Sequence, residues 1–270
     1  MAGRLEGKAA LVVGAAGAGN MGQAIARRFA AEGARVAVAG RNMDVLDALA
    51  SEIDGVALAC DFSDRASIFA MVDGAKAKLD GVDIAVNATG WGLLKPFLET
   101  TDEEFDRIYA LQLRGPFQFL QALIPAMAGS GSIIQVSSAT ATIMFHDHDA
   151  YMATKAGTDH MVRSVANQFG GQGLRVNSIS PGVTETPMTA DAAQVPGVMD
   201  AFRKGYPLGR YGTMEDIAAG CVWLASDECF MTGQNMQVNG GLTLRANPSK
   251  ADIEASVMAA MAGASTAGVG

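Results

Sequence analysis

Short apolar segments alternate with longer segments of helical periodicity through most of this chain. The apolar segments are predicted strands, namely Lys8–Val13, Arg35–Ala39, Val56–Ala59, Asp83–Val86, Ser132–Val136, Arg175–Ile179 and Asn235–Val238. The segments between them are predicted helices, near Gly22–Glu32, Met43–Glu52, Asp64–Leu79, Asp102–Met127, Tyr151–Phe169 and Met214–Ala225. The strands lack strict alternation of polar and apolar residues, which is typical of a parallel sheet buried on both faces. The pattern therefore predicts a doubly wound α/β fold with right-handed crossovers.

Two stretches depart from this alternation. Residues 182–212 contain three prolines and no clear periodicity, and loops of this length inside compact domains are often active-site lids. Residues 246–270 show a weak helical pattern around Ala251–Met261, followed by a tail of small residues. We therefore predict one domain over residues 1–245, with a substrate lid at 182–212. The C-terminal extension, 246–270, is predicted to hold a short helix and a disordered tail.

Composition argues against several classes of protein. The chain has 270 residues, of which 49% are hydrophobic and 18% charged, so it can bury a substantial core. A net charge of −8 without a basic run argues against a nucleic-acid partner. The three cysteines lack metal-ligand spacing and indicate free thiols in a reducing compartment. The uncharged stretch Ala9–Ala26 contains too many glycines for a membrane span. We expect a cytoplasmic protein that does not act at a membrane.

A glycine-rich turn lies between the first predicted strand and the first predicted helix. Glycines there let backbone N–H groups approach a pyrophosphate at the helix N-terminus, where the helix dipole also favours an anion. A tight turn without a ligand is the alternative, but the position at the first β–α connection favours a nucleotide. The predicted contacts in this turn are Gly14, Gly17, Gly19, Asn20, Met21 and Gly22.

The ends of two further strands fit the adenosine part of a dinucleotide. Asp61 and Phe62 follow the third strand, where a carboxylate or a backbone group can accept the adenine amino group. Asn87, Ala88 and Gly90 follow the fourth strand, near the expected ribose. Helix caps or turn residues are the alternative for both groups.

The end of the second strand indicates which dinucleotide is bound. An acidic residue there would bind the ribose 2′-hydroxyl of NAD, but this chain has Gly40 followed by Arg41. A guanidinium fork suits a 2′-phosphate, so NADP is favoured, with NAD as the alternative. In the alternative case Arg41 is an ordinary surface arginine.

Three residues suggest proton chemistry at an alcohol or carbonyl oxygen. Tyr151 and Lys155 are four residues apart, so both lie on one helix face, and Ser138 precedes them. An ammonium group near a phenol favours the phenolate and is expected to lower the pKa of the tyrosine. Such a tyrosine can give or take a proton, while the serine hydroxyl holds the substrate oxygen.

Together these motifs resemble the short-chain dehydrogenase/reductase family of the classical single-domain type, over most of the chain from Gly7 to Leu244. The resemblance rests on Gly7-Lys-Ala-Ala-Leu-Val-Val-Gly14, Asn87-Ala-Thr-Gly90, Ser138 with Tyr151 and Lys155, Arg175-Val-Asn-Ser-Ile-Ser-Pro181-Gly182, Thr186-Pro-Met188, Pro207-Leu-Gly-Arg210, Leu224-Ala-Ser-Asp227 and Val238-Asn-Gly-Gly241. It implies a Rossmann fold with a central parallel sheet of about seven strands. It also implies a homotetramer that packs the helices near Asp102–Met127 and Tyr151–Phe169 between subunits.

The resemblance also implies roles for individual residues. Tyr151 is the acid/base, Ser138 orients the substrate oxygen, and Lys155 binds the nicotinamide ribose. The reaction is hydride transfer between a nicotinamide and an alcohol or carbonyl carbon. The residues implied at the nicotinamide end of the cofactor are Tyr151, Lys155, Pro181, Gly182, Thr184 and Thr186.

Three features differ from the family pattern. Val13 replaces the usual threonine before the first glycine, and the turn from Gly14 to Gly22 is longer than usual. The asparagine that the family uses to hold a water beside the catalytic lysine is replaced by Gln112. We expect the glutamine amide to keep this catalytic relay, displaced by one methylene.

The predicted substrate side is mostly apolar, which indicates an apolar small-molecule ketone or secondary alcohol. Its predicted contacts are Trp91, Met144, Phe145, His146 and Met188, with further apolar residues from the lid. His146 and His148 lack a third ligand at suitable spacing, so no metal is expected. A 3-oxoacyl-thioester reductase acting on a carrier protein or CoA is the alternative enzyme. A nucleotide-sensing module without catalysis is the alternative outside enzymes.

Overall fold

Residues 3–267 are described by a computed structural model, in which seven parallel strands form one sheet. The strands are β1 (Ala9–Val13), β2 (Arg35–Gly40), β3 (Val56–Ala59), β4 (Ile84–Asn87), β5 (Gly131–Val136), β6 (Leu174–Pro181) and β7 (Asn235–Val238). Their order, β3-β2-β1-β4-β5-β6-β7, confirms the predicted doubly wound fold. The strand order reverses at β1 and β4, so a crevice opens there at the carboxyl ends of the strands.

The helices lie near the predicted segments, and the lid contains two short helices that were not predicted. They are α1 (Met21–Ala31), α2 (Met43–Glu52), α3 (Arg65–Leu79), α4 (Asp102–Tyr109), α5 (Gly115–Ala126), α6 (Asp149–Phe169), α7 (Ala190–Gln194), α8 (Val198–Arg203), α9 (Met214–Ala225) and α10 (Lys250–Ala267). None of these helices of the described chain is long and apolar enough to cross a membrane.

The sheet is buried on both faces, as predicted. Val12 of β1 packs with Phe29 in the layer formed by α1, α2 and α9. The next residue, Val13, faces the opposite layer, where it joins Phe119 among residues of α3, α5 and α6. Because successive residues of β1 are buried in different layers, both sets of its positions are apolar.

The predicted helix Asp102–Met127 is interrupted by a π-helical turn over Ala110–Arg114, which separates α4 from α5. The Gly115 N–H donates to the Ala110 carbonyl, which is the i to i−5 pattern of a π turn. Gly115 also lies directly against the Phe62 carbonyl, and a side chain there would collide with it. The prediction of one continuous helix was therefore wrong at these residues, which include Gln112.

The lid and the extension pack on each other. Residues 182–212 contain α7 and α8, and the two ends of the segment meet in a parallel bridge between Thr184 and Gly212. Gly197, which precedes α8, lies against the backbone of Ser256 in α10. The helix of the extension is longer than predicted, because it continues to Ala267. The predicted disordered tail after Met261 was therefore wrong for residues 262–267, which are helical, and its last part, 268–270, lies outside the described residues.

Candidate active site

A cleft of about 1080 Å³ lies at the carboxyl ends of the strands. It extends from the glycine-rich turn after β1 to the lid after β6, and it joins the predicted cofactor contacts to the predicted catalytic residues. The predicted residues that line it are Gly14, Gly17, Asn20, Met21, Arg41, Asp61, Phe62, Ala88, Gly90, Trp91, Ser138, Phe145, His146, Tyr151, Lys155, Pro181, Gly182, Thr184 and Thr186. This is where open parallel sheets bind their ligands.

Other predicted site residues are not part of this lining, namely Gly19, Gly22, Asn87, Gln112 and Met144. The Met144 side chain is 68% exposed and does not line the cleft, so the structure gives it no place among the substrate contacts. The Met188 side chain lies outside the described part of the structure. Asn87 is buried, donates to Gln135 and accepts from Thr89, so it shapes the turn after β4.

Two side chains, one at the end of the glycine-rich turn and one directly after it, fix the conformation of the turn. Asn20 donates from Nδ2 to the Gly14 carbonyl at 2.8 Å and accepts from the Gln23 N–H at 3.0 Å. Gln23 in turn accepts from the Gly19 N–H at 3.0 Å. The longer turn is therefore held from inside by a helix cap and by Gln23, whose role the sequence did not reveal.

The same turn leaves donors free for an anion. Gly14 has φ 93°, and a side chain on it or on Gly22 would collide with neighbouring backbone. Among the described residues, the N–H groups of Met21 and Gly22 at the start of α1 have no acceptor. Close backbone approach and free N–H groups at a helix N-terminus fit the pyrophosphate of a dinucleotide.

Arg41 lies at the far end of the cleft, after β2. Gly40 beside it packs on Ala16 so closely that a side chain would not fit, so the cleft is lined by backbone at this position. Asp61 also lines this end, and hydrogen bonds from Ser63, with a smaller effect of the Arg41 charge, lower its pKa. This end of the cleft therefore presents a guanidinium and a carboxylate together.

Ser138, Tyr151 and Lys155 meet at the opposite end of the cleft, as predicted. Ser138 follows β5, and its Oγ lies 2.9 Å from Thr140 Oγ1. Tyr151 and Lys155 are one turn apart on α6, with Lys155 Nζ 5.4 Å from the centre of the tyrosine ring. Lys155 is buried and donates to the Val136 carbonyl at 2.8 Å, which holds it beneath the tyrosine.

Burial shifts the pKa values of the two titratable groups in opposite directions. It raises the pKa of Tyr151 to about 12, and the Ser138 hydroxyl offsets only part of this shift. It lowers the pKa of Lys155 to about 8 against the opposing charge of Asp159. The pKa of Tyr151 is therefore raised and not lowered as expected, because desolvation of the phenolate is the largest effect on it and only the Ser138 hydrogen bond opposes it.

Gln112 is buried in the π turn beside these residues. Its Oε1 accepts from the Trp91 N–H at 2.6 Å, and its Nε2 donates to Thr154 Oγ1 at 3.0 Å. A Cβ added to Gly90 would lie 3.3 Å from Gln112 Oε1 and 4.0 Å from Lys155 Nζ, so the two groups border the same space. The amide thus ties the turn after β4 to α6.

Further polar residues line the cleft. Among them are His148, which the sequence places near the mouth of the pocket beside His146, and residues that the sequence analysis did not assign, such as Arg107, whose guanidinium lies 4.3 Å from the centre of the Trp91 ring, Thr140, Asn247, Lys250 and Glu254. Asn247, Lys250 and Glu254 belong to the extension, which therefore forms part of the wall. No single segment of sequence could reveal this, because the residues meet only in the fold. Within the described residues, no group of His, Cys, Asp and Glu could hold a metal ion.

Comparisons with known proteins agree with this arrangement. A family model described as Enoyl-(Acyl carrier protein) reductase matches residues 14–243. D-threitol dehydrogenase of Mycolicibacterium smegmatis is 38% identical over 90% of this chain and 95% of its own length. The 3-oxoacyl-[acyl-carrier-protein] reductase of Thermotoga maritima is 33% identical over 89% and 100%. The crystal structure of a short-chain type dehydrogenase/reductase from Mycobacterium marinum is 33% identical, with a TM-score of 0.82 over 88% of this chain and 96% of that one. Fold, site and relatives agree that the chain belongs to the short-chain dehydrogenase/reductase family of nicotinamide-dependent oxidoreductases.

Proposed function

We propose that the chain is an NADP-dependent enzyme that interconverts a secondary alcohol and the corresponding ketone. One observation carries the proposal: Ser138, Tyr151 and Lys155 share a cleft with a glycine-rich turn that offers free N–H groups. Hydride transfer requires the nicotinamide and the substrate carbon to be in contact, so their binding groups have to open into one cleft.

In the direction of reduction, the Ser138 hydroxyl donates a hydrogen bond to the substrate carbonyl oxygen. The Tyr151 hydroxyl then donates its proton to the substrate oxygen. Because the pKa of Tyr151 is raised to about 12, the hydroxyl is protonated before the reaction begins. The bound cofactor supplies the hydride. Lys155 holds the ribose of the cofactor, and its positive charge stabilises the phenolate that proton transfer leaves on Tyr151. In alcohol oxidation the phenolate of Tyr151 accepts the proton of the substrate hydroxyl.

Gln112 acts in this proposal as a positioning residue. Its two amide hydrogen bonds hold the Trp91 backbone and the Thr154 side chain at a fixed distance from each other. Thr154 is the residue directly before Lys155. The predicted relay, in which the amide holds a water beside Lys155, stays a prediction. The space that Gln112 and Lys155 both border beside Gly90 is consistent with it.

The lining of the cleft favours a substrate with more than one oxygen. Arg107, Thr140 and His148 add polar groups to the apolar surface that Phe145 and Phe202 provide. The similarity to a D-threitol dehydrogenase supports a hydroxylated substrate. Reduction of a 3-oxoacyl thioester, suggested by the similarity to the Thermotoga reductase, is the second candidate.

A substrate screen with NADPH tests the proposal. We expect oxidation of NADPH with hydroxylated and simple ketones, and slower oxidation with acetoacetyl-CoA. The measurement is the loss of absorbance of NADPH, with product identified by chromatography. Faster turnover of the thioester would favour the second candidate. No turnover of any carbonyl compound by a protein that binds NADPH would contradict the enzyme assignment.

Arg41 is proposed to select NADP through the 2′-phosphate. Charge-assisted hydrogen bonds contribute about 1.5–3 kcal/mol, so Arg41→Ala should weaken NADPH binding by roughly 10- to 150-fold. NADH binding should change little, because NADH lacks that phosphate. Fluorescence titration of both cofactors measures the two dissociation constants.

The matched control for this prediction is Arg28→Ala, because Arg28 pairs with Glu32 on α1 and does not line the cleft. It should leave both dissociation constants unchanged. Equal affinity of the unsubstituted protein for NADPH and NADH would show that Arg41 does not discriminate between them.

A homotetramer in the cytoplasm also remains a proposal. Three aromatic side chains here are each at least 40% exposed, namely Phe105 and Tyr109 of α4 and Phe117 of α5. These helices are the ones that the family packs between subunits. Exposed aromatic side chains on this surface support such an interface.

A further inference from the structure

His148 is held in one orientation next to the catalytic tyrosine. Its ring stacks on the ring of Tyr151, with centres 4.2 Å apart and planes 24° apart. Its Nδ1 lies 2.7 Å from the Leu93 carbonyl oxygen, and Phe145 packs edge-on at 5.9 Å. A hydrogen bond and two aromatic contacts therefore prevent the imidazole from turning.

The Leu93 contact determines which ring nitrogen carries the proton. A carbonyl oxygen can only accept, so Nδ1 must donate, and in the neutral ring Nε2 is then the acceptor. Burial lowers the pKa of His148, and the positive charge of Lys155 acts in the same direction, while the Leu93 hydrogen bond and Asp149 act against them. The ring is accordingly neutral at pH 7, with a free lone pair on Nε2.

Nothing in the described part of the protein uses that lone pair. None of the described hydrogen bonds involves Nε2, although the residue is half-buried and lines the cleft. Nε2 is also absent from the buried polar atoms that lack a partner, so it is open to the contents of the cleft. A fixed acceptor that faces a binding cleft has its natural partner in the ligand.

We propose that His148 determines substrate specificity by accepting a hydrogen bond from a hydroxyl group on the carbon next to the reacting carbon. This inference rests on the proposed alcohol and ketone chemistry and narrows its substrate class to 1,2-diols and α-hydroxy ketones. In this proposal the reacting oxygen binds at the Tyr151 hydroxyl, and the His148 ring stacks on the Tyr151 ring with centres 4.2 Å apart. Because the two rings are in contact, a hydroxyl group that binds His148 is expected on a carbon close to the reacting one.

The Ser138 side supports the same substrate class. Ser138 Oγ lies 2.9 Å from Thr140 Oγ1 and accepts from the Thr140 N–H at 3.2 Å, so contacts with Thr140 hold the serine oxygen in place. The reacting oxygen then receives hydrogen bonds from Ser138 and Tyr151, which are both donors in the reduction. His148 is a fixed neutral acceptor at this end, and so it complements a hydroxyl rather than a second carbonyl.

The test compares substrates that differ by one hydroxyl group. Butanone with acetoin, and cyclohexanone with 2-hydroxycyclohexanone, are matched pairs for NADPH-dependent reduction. The unsubstituted enzyme should prefer the hydroxylated member of each pair in kcat/KM. Three variants divide the functions of the ring: His148→Phe keeps stacking only, His148→Asn keeps a polar group near Leu93, and His148→Gln places an amide near the position of Nε2.

We expect His148→Phe and His148→Asn to lose roughly 3- to 10-fold in kcat/KM for the hydroxylated ketones, the usual range for one neutral hydrogen bond. In both variants this loss should exceed by that factor any loss for the simple ketone of the same pair, and His148→Gln should recover part of the preference. An equal loss for both members of a pair, or no change in preference, would overturn the inference. Lack of turnover of all four ketones by the unsubstituted enzyme would instead contradict the proposed function.

Discussion

Replacement of Tyr151 by phenylalanine is expected to abolish turnover while cofactor binding stays nearly unchanged. The substitution keeps the ring that stacks with His148 and covers Lys155, and it removes only the proton donor. A general acid contributes roughly 10²–10⁴-fold, so kcat should fall by at least about 100-fold. Steady-state kinetics measures the loss, and titration with NADPH shows whether the cofactor site is intact.

Tyr109→Phe is the matched control, since Tyr109 is exposed at the end of α4 and does not line the cleft. Its removal of a phenolic hydroxyl should leave kcat unchanged. Substantial turnover by the Tyr151→Phe protein would mean that another group protonates the substrate oxygen. His148 would then be the next residue to replace.

The sequence was sufficient for the fold because the decisive information is local. Each strand is a short run of apolar residues, and burial on both faces of the sheet requires that pattern. The motifs at the strand ends were equally readable, because the carboxyl ends of parallel strands meet at one edge. The cleft accordingly contains Gly14 after β1, Arg41 after β2 and Ser138 after β5.

The prediction of one continuous helix over residues 102–127 rested on periodicity and did not use the Gly115-Pro116 pair in its middle, which is a signal for a break. The π form of the break also depends on a distant contact, which the sequence of the segment does not contain. The Phe62 carbonyl, from the loop after β3, approaches Gly115 where only a glycine fits. The consequence is local to the site, since the turn brings the Gln112 amide to Trp91 and Thr154.

The pKa of Tyr151 illustrates a second limit. A spacing of four residues shows that Lys155 is near the tyrosine, and proximity alone predicts a lowered pKa. How deeply both groups are buried depends on the packing of α6 against β6 and against the π turn, which spacing does not encode. Burial prevails for both groups, and the tyrosine pKa rises instead. The polar wall formed by Arg107 and the extension was missed for the same reason.

Replacement of Lys155 by methionine is expected to make the protein more stable and inactive. Lys155 is 3% exposed, and its ammonium group has only the Val136 carbonyl as a hydrogen-bond acceptor among the described residues. Methionine fills similar space without a charge, and such replacements of buried charges are neutral or stabilise by about 1–4 kcal/mol. Asp159 opposes the gain, because its negative charge favours the ammonium. Denaturant unfolding should show a higher free energy of unfolding at pH 7, with kcat at least about 100-fold lower.

The pH dependence separates this explanation from a simple packing effect. Below the folded-state pKa of about 8, Lys155 is charged in both states, and the full cost of burying the charge is present. Between about 8 and 10.5, the ordinary pKa of a lysine, the unfolded chain binds more protons than the folded one, so the stability of the unsubstituted protein rises with pH. The advantage of the Lys155→Met protein should therefore shrink across this range. Burial raises the pKa of Cys60 to about 11 and that of Cys221 to about 12, so both thiols ionise in this range in the unfolded chain, but both proteins contain them and their effect cancels in the difference. Lys78→Met, at an exposed position on α3, should change stability by less than about 0.5 kcal/mol at every pH.

A difference in free energy of unfolding that stays constant with pH would assign the gain of the Lys155→Met protein to packing. A less stable Lys155→Met protein would show that the ammonium group is needed by the fold as well as by the reaction.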